Sequence, residues 1–136
     1  MLHLLFVYGT LLQPGNAFAD HLARHCRFLY PAAIRGTLYD LGEYPGLIIH
    51  PNDTNKVTGN VYEVDDEVLK LIDDYEGYGE DEDQPNLYVR DLLTIETNRS
   101  ATDAWVYIYN HPVNGMQIIA SGDYLQYLSQ KKSPGL

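Results

Sequence analysis

The apolar positions of this chain fall into short runs with two different periods. Leu4–Tyr8 is a continuous apolar, β-prone run closed by Gly9, the pattern of a buried strand. Gln13-Pro14-Gly15-Asn16 is turn chemistry with Asn16 as an N-cap. Residues 17–25 then predict a short helix with Phe18, His21, Leu22 and His25 on one side. Ala32–Leu41 reads as extended, LGEYPG (41–46) as a loop, and Leu47–His50 as a further short run before the turn Pro51-Asn52-Asp53. Val57–Val64 alternates, with Val57, Gly59, Val61 and Glu63 on one face and Tyr62 and Val64 on the other.

A second helix is the most strongly patterned element. Asp65 or Asp66 supplies its cap, Val68, Leu71, Ile72 and Tyr75 recur at helical spacing, and Gly77 stands where a left-handed C′ residue belongs. The acidic stretch Gly79–Asn86 is expected to be a mobile loop. Leu87–Glu96 and Ala104–Tyr109 predict two strands joined by a turn near Asn98-Arg99-Ser100, and Tyr124, Leu125 and Leu128 a last short helix. Residues 1–130 form one domain in this reading, with 131–136 a flexible C-terminal tail. Many strands, few helices and no strict βαβ alternation predict an α+β fold with a small mixed, barrel-like sheet and flanking helices.

Charge narrows the partners. Nine Lys and Arg against nineteen Asp and Glu give a formal charge of −10, which repels phosphate backbones and anionic membrane surfaces. No nucleic-acid or membrane partner is expected, and a small molecule is the better match. Cys26 is the single cysteine, so neither an internal disulfide nor a cysteine-based zinc cage is available. The N-terminal MLHLLFVY lacks a basic region and is short for a signal peptide or a membrane span. A cytoplasmic location follows as an expectation, and the sequons at Asn52 and Asn98 read as chance.

Several side chains invite chemistry. His21 and His25 have the i, i+4 spacing of metal ligands, but HLARH lacks the glutamate of the zincin pattern and has no third ligand, so no metal is expected. Glu80–Asp83 lacks the glycine and spacing of a calcium loop. Two places stand out from this background. Tyr8-Gly9-Thr10-Leu11 ends the first strand, where glycine lets successive N–H groups converge on an anion. Glu76 ends the second helix, at i+4 from Ile72 and i+7 from Leu69, on the edge of the apolar face. Burial and the negative end of a helix both raise a carboxylate's pKa, as a general base or acid near neutral pH requires. Surface charge remains the alternative for Glu76; Asp74, well off the stripe, is expected to face water.

Taken in order, VYGTLL (7–12), GTLYDLGEYPG (36–46), GNVYEVDDEVLKLIDDYEGY (59–78), LYVR (87–90) and AWVYIY (104–109) resemble the γ-glutamylcyclotransferase-like family. YGTL with LIDDYEG and LYVR is more similar to its γ-glutamylamine cyclotransferase branch. The resemblance implies a small mixed β-barrel with outer helices. It also implies release of 5-oxoproline from a γ-glutamylamine or γ-glutamyl amino acid by attack of the substrate's own α-amine. Glu76 matches the catalytic acid/base, Tyr8, Gly9, Thr10 and Leu11 the loop that holds the glutamyl group, and Tyr88 the pocket tyrosine of the Y-x-R motif. No cofactor is implied, since the nucleophile belongs to the substrate. Whether the loop amides anchor the substrate carboxylate or steady an oxyanion stays open.

Two positions depart from the pattern. Asn60 stands where many relatives have an acid, and Gly79–Asn86 is longer and more acidic than expected. An acidic rim there would reshape the leaving-group side and favour a cationic leaving group. The reading from another class is a non-catalytic module that binds a small carboxylate ligand at Tyr8–Leu11.

Overall fold

The computed structural model describes residues 1–50 and 52–132. Five strands close a barrel in the order β1 (Leu2–Val7), β5 (Lys56–Asp65), β2 (Arg27–Arg35), β6 (Tyr88–Glu96) and β7 (Ala101–Tyr109). All its seams are antiparallel except the closing one, where β1 and β7 run parallel with Leu5 opposite Trp105. A side sheet orders β4 (Pro45–Ile48), β3 (Thr37–Asp40) and β8 (Gln117–Ile118). Among the described residues, three α-helices complete the α+β fold: α1 (Ala17–His25), α2 (Asp66–Glu76) and α3 (Tyr124–Lys132).

Strand alternation divides the core. Phe6, Ile34, Val57, Val61, Ile95 and Val106 join the barrel to the side sheet and α3 through Leu38, Leu47, Ile119 and Tyr124. On the other face, Leu5, Val7, Tyr62, Val64 and Tyr107 pack against Leu22 of α1 and Leu69 and Ile72 of α2. β5 is buried on both faces for this reason, and a period of two places every second side chain in each cluster.

Local signals act where the sequence placed them. The Asn16 side chain accepts from the amides of Phe18 and Ala19, and Asp65 accepts from Val68 N–H. Gly77 closes α2 at φ 71°, the left-handed region that glycine enters without a Cβ penalty.

Other expectations need correction. Ala32–Leu41 is not one run: Gly36 separates β2 from β3, and a Cβ there would lie 2.8 Å from Leu47 Cδ1. Pro45 and Gly46, read as loop, open β4, because the side sheet pairs Asp40 with Pro45 and Tyr39 with Gly46. β8 has two exposed residues and no pattern to betray it. The inner stripe of α2 holds Leu69, Ile72 and Asp73, whereas Leu71 is 40% exposed. The helix is turned to bring Asp73 inward, for a reason found across the barrel wall. On α1 the buried residues are Ala19 and Leu22, and His25 is exposed. α3 runs through Lys131 and Lys132, anchored by Lys131 Nζ on Asp40 Oδ2 at 3.1 Å; residues 133–136, the rest of the expected tail, lie outside the described residues.

Candidate active site

A cavity of about 370 Å³ opens where β1 ends. Tyr8, Gly9, Thr10 and Leu11 form one wall, Tyr88 and Tyr107 come from β6 and β7, and Tyr75 and Glu76 from the end of α2. Glu43, Tyr44 and Pro45, from the β3–β4 turn, also line it. Every site residue read from the sequence therefore borders one cavity. None of Gly79–Asn86 borders it; that loop is pinned on itself, Asn86 accepting from Gly79 N–H at 3.1 Å and donating to Gly79 O at 2.9 Å. The acid added to the lining is Glu43 instead, a residue inside the stretch expected to be loop.

The first wall follows from glycine. Gly9 has no side chain, and a Cβ there would meet Pro45 Cγ at 2.8 Å. The chain next makes a short 3₁₀ turn, Leu12 N–H donating to Gly9 O and Gln13 N–H to Thr10 O. Among the described residues the amides of Gly9, Thr10 and Leu11 have no backbone acceptor, as the opening residues of a helical turn do not. Asn16 Nδ2 donates to Tyr75 Oη at 2.9 Å, and that oxygen lies 2.7 Å from Thr10 Oγ1. One hydroxyl proton serves the Thr10–Tyr75 bond and the other is left over. This wall is a surface of neutral donors.

The inner end has the opposite polarity. Tyr8 Oη donates to Tyr107 O at 2.6 Å, Tyr88 Oη to Pro45 O at 2.6 Å, and Tyr107 Oη to Asp73 Oδ1 at 2.7 Å. Burial, then the nearby Glu76 charge, raises Tyr8's pKa, and Tyr88 and Tyr107 are likewise raised chiefly by burial. The three phenols stay protonated. Among the described residues no protein donor reaches the Glu76 carboxylate, and no cationic side chain borders the cavity. Burial alone pushes Glu76 up to about 8.

Asp73 was missed as a site element. It is buried one turn before Glu76 and meets Arg90 fork to fork, Nε to Oδ1 at 2.8 Å and Nη2 to Oδ2 at 3.1 Å. The Arg90 guanidinium lies over the Trp105 ring, 4.3 Å from its centroid, and 5.6 Å from that of Tyr78. Asp74, by contrast, faces solvent and pairs with Lys70, as expected from the helical wheel. The His21 and His25 rings lie 4.8 Å apart, and among the described residues no group of three or more His, Cys, Asp or Glu could hold a metal.

The sequence profile of the family described as "Gamma-glutamyl cyclotransferase, AIG2-like" matches residues 5–126. The chain belongs to this family. It is a γ-glutamylcyclotransferase-type enzyme, and its relatives carry that name. The γ-glutamylcyclotransferase family protein YtfP of Escherichia coli K12 is 35% identical over 123 residues, 89% of this chain and 95% of that one. The γ-L-glutamyl-butirosin B γ-glutamyl cyclotransferase of Niallia circulans is 36% identical over 107 residues, 78% of this chain and 66% of that one. The solution structure of E. coli YtfP matches with TM-score 0.65 at 32% identity, covering 91% of this cyclotransferase and 97% of YtfP. No helix among the described residues of the cyclotransferase is long and apolar enough to cross a membrane.

Proposed function

We propose that this enzyme releases 5-oxoproline from a γ-glutamylamine or γ-glutamyl amino acid, with Glu76 as general acid/base and Tyr8, Gly9, Thr10, Leu11 and Tyr88 forming the substrate pocket. The observation that carries the reading is the desolvated Glu76 carboxylate, without a protein donor among the described residues, in the same cavity as the Gly9–Leu11 amides.

The two polarities suit a zwitterionic glutamyl group. The neutral-donor wall would take its α-carboxylate. The acceptor end, with Glu76 and the phenol oxygens, would take its α-ammonium. Glu76 removes a proton from the ammonium, and the freed amine attacks the γ-carbonyl carbon. A carbon–nitrogen bond forms as the carbonyl becomes an oxyanion; its collapse breaks the bond to the leaving nitrogen. Both protons lost by the ammonium end on the departing amine, with Glu76 as carrier. Closure of a five-membered ring supplies the proximity, so the protein's task is orientation and proton transfer.

The Niallia relative, whose name specifies γ-L-glutamyl-butirosin B, supports a γ-glutamyl compound as the substrate. The test is mass spectrometry of 5-oxoproline after incubation with γ-glutamyl amines and γ-glutamyl amino acids. Glu76→Gln should lower kcat by at least about a hundredfold, the usual scale of a general acid–base contribution. Unchanged 5-oxoproline release by Glu76→Gln sinks the assignment.

A further inference from the structure

The Asp73–Arg90 pair does not border the candidate site's cavity, yet its partner Tyr107 does. Arg90 and Tyr107 are direct cross-strand neighbours on β6 and β7, and the last turn of α2 sets Asp73 against both. A carboxylate bridged to a guanidinium accepts on both oxygens, so the Tyr107 hydroxyl can only donate to it. Tyr8 and Tyr88 donate to backbone carbonyls, which also only accept. The phenol protons of Tyr8, Tyr88 and Tyr107 are thus each committed to an acceptor other than Glu76. For Tyr8 and Tyr88 the main chain fixes the direction. For Tyr107 it depends on one side chain.

We propose that Asp73, held by Arg90, is a positioning residue that keeps the Tyr107 hydroxyl proton turned away from Glu76, so that Glu76 meets the substrate ammonium as an unquenched acceptor. This rests on the acid/base reading of Glu76 and goes beyond it by giving that base a keeper. Without Asp73, the Tyr107 proton needs another acceptor; of the two carboxylates on its cavity, Glu76 is the one whose charge acts on Tyr107. A hydrogen bond to the ionised form lowers a carboxylate's pKa. The other titratable groups facing the cavity are Tyr8, Tyr44, Tyr75, Tyr88 and Glu43. None of them contacts the Asp73 carboxylate, whose partners are Arg90 and Tyr107.

The test titrates the Glu76 carboxyl by carbon-13 NMR in glutamate-labelled full-length protein, which needs no turnover. Asp73→Leu/Arg90→Met removes the pair without changing net charge, and replacing a buried ion pair by apolar groups of similar volume is commonly tolerated. The Glu76 midpoint should fall by roughly one pH unit in this variant and return when Tyr107→Phe is added. Tyr107→Phe alone should leave it within about 0.3 units of the parent. An unmoved midpoint in the pair-free variant, or a lowered one that Tyr107→Phe does not restore, overturns the proposal. So does a rise of about a unit in Tyr107→Phe alone, which would mean Tyr107 was already donating to Glu76. That single isosteric change also decides the matter if the pair-free protein does not fold. Full activity of Glu76→Gln would defeat the acid/base reading while leaving these titrations intact, so the two failures are distinguishable.

Discussion

Asp73 and Glu76 are carboxylates one helical turn apart on the inner face of α2, and the structure treats them oppositely. Asp73 accepts three hydrogen bonds, two from Arg90 and one from Tyr107, while among the described residues Glu76 accepts none from the protein. In the proposed reading the first fixes geometry. In the same reading the second stays free for the substrate.

That contrast gives a pH profile. With its carboxyl held near 8, Glu76 is about one-tenth ionised at pH 7. On the acid side, kcat/KM should rise close to tenfold per pH unit and level off above about pH 8. A bound ammonium favours the ionised carboxylate, so the corresponding limb of kcat should lie at lower pH. Initial rates between pH 5 and 9 measure both. A flat kcat/KM from pH 6 to 8 would contradict the raised pKa.

The same group makes stability depend on pH. Its folded pKa, about 8, exceeds its ordinary 4.5, so between those values the folded state holds a proton the unfolded chain has lost. The stabilisation is fully present below about pH 4.5 and is lost as pH rises through 8. Glu76→Gln removes the penalty. At pH 8.5 it should be more stable than the parent by roughly 2–4 kcal/mol, with the difference shrinking towards pH 5. Urea unfolding at both pH values reads this directly.

Gly9 should tolerate no side chain. A Cβ 2.8 Å from Pro45 Cγ and 3.2 Å from Cδ forces either the turn or the β3–β4 corner to move. Pro45 is also tied to Tyr88 through its carbonyl. Gly9→Ala should cost about 1–3 kcal/mol of stability and raise KM more than it lowers kcat, since it displaces the donor wall rather than Glu76. Thermal melting and steady-state kinetics together separate the two effects.

The α3 helix reaches the cavity indirectly. Tyr127 Oη donates to Asp40 Oδ2 at 2.5 Å and Lys131 Nζ to the same oxygen, at the base of the turn that carries Glu43–Pro45. Tyr127→Phe should cost about 1 kcal/mol and raise KM several-fold, with kcat nearly unchanged. An equal loss in kcat would place this contact in the chemical step instead.

Features encoded by neighbouring residues were legible in the sequence. Asn16 and Asp65 as caps, Gly77 as the end of α2, and the alternation of β5 each depend on a few adjacent positions and the geometry of one element. The placement of Glu76 followed from counting along that helix. Relations across the fold were not legible. The inward turn of Asp73 and outward turn of Leu71 shift the edge of the apolar stripe, because an Arg from β6 and a Tyr from β7 supply partners that a helical wheel does not see. Pro45 and Gly46 look like loop until Tyr39 and Asp40 are laid beside them. Arg90, in LYVR, carries the one local signal: an arginine within an aromatic strand needs a counter-charge, and Asp73 lies in LIDDYEG.

The parallel seam between the first strand and the last barrel strand has a consequence for biosynthesis. Tyr8 and Tyr107, joined across it, are separated by 99 positions. The inner end of the cavity therefore cannot exist until nearly the whole barrel has left the ribosome, and closing so long a loop comes late in folding. No N-terminal fragment that stops short of β7 should retain a working fraction of the enzyme, and partially made chains cannot consume substrate before synthesis is nearly done.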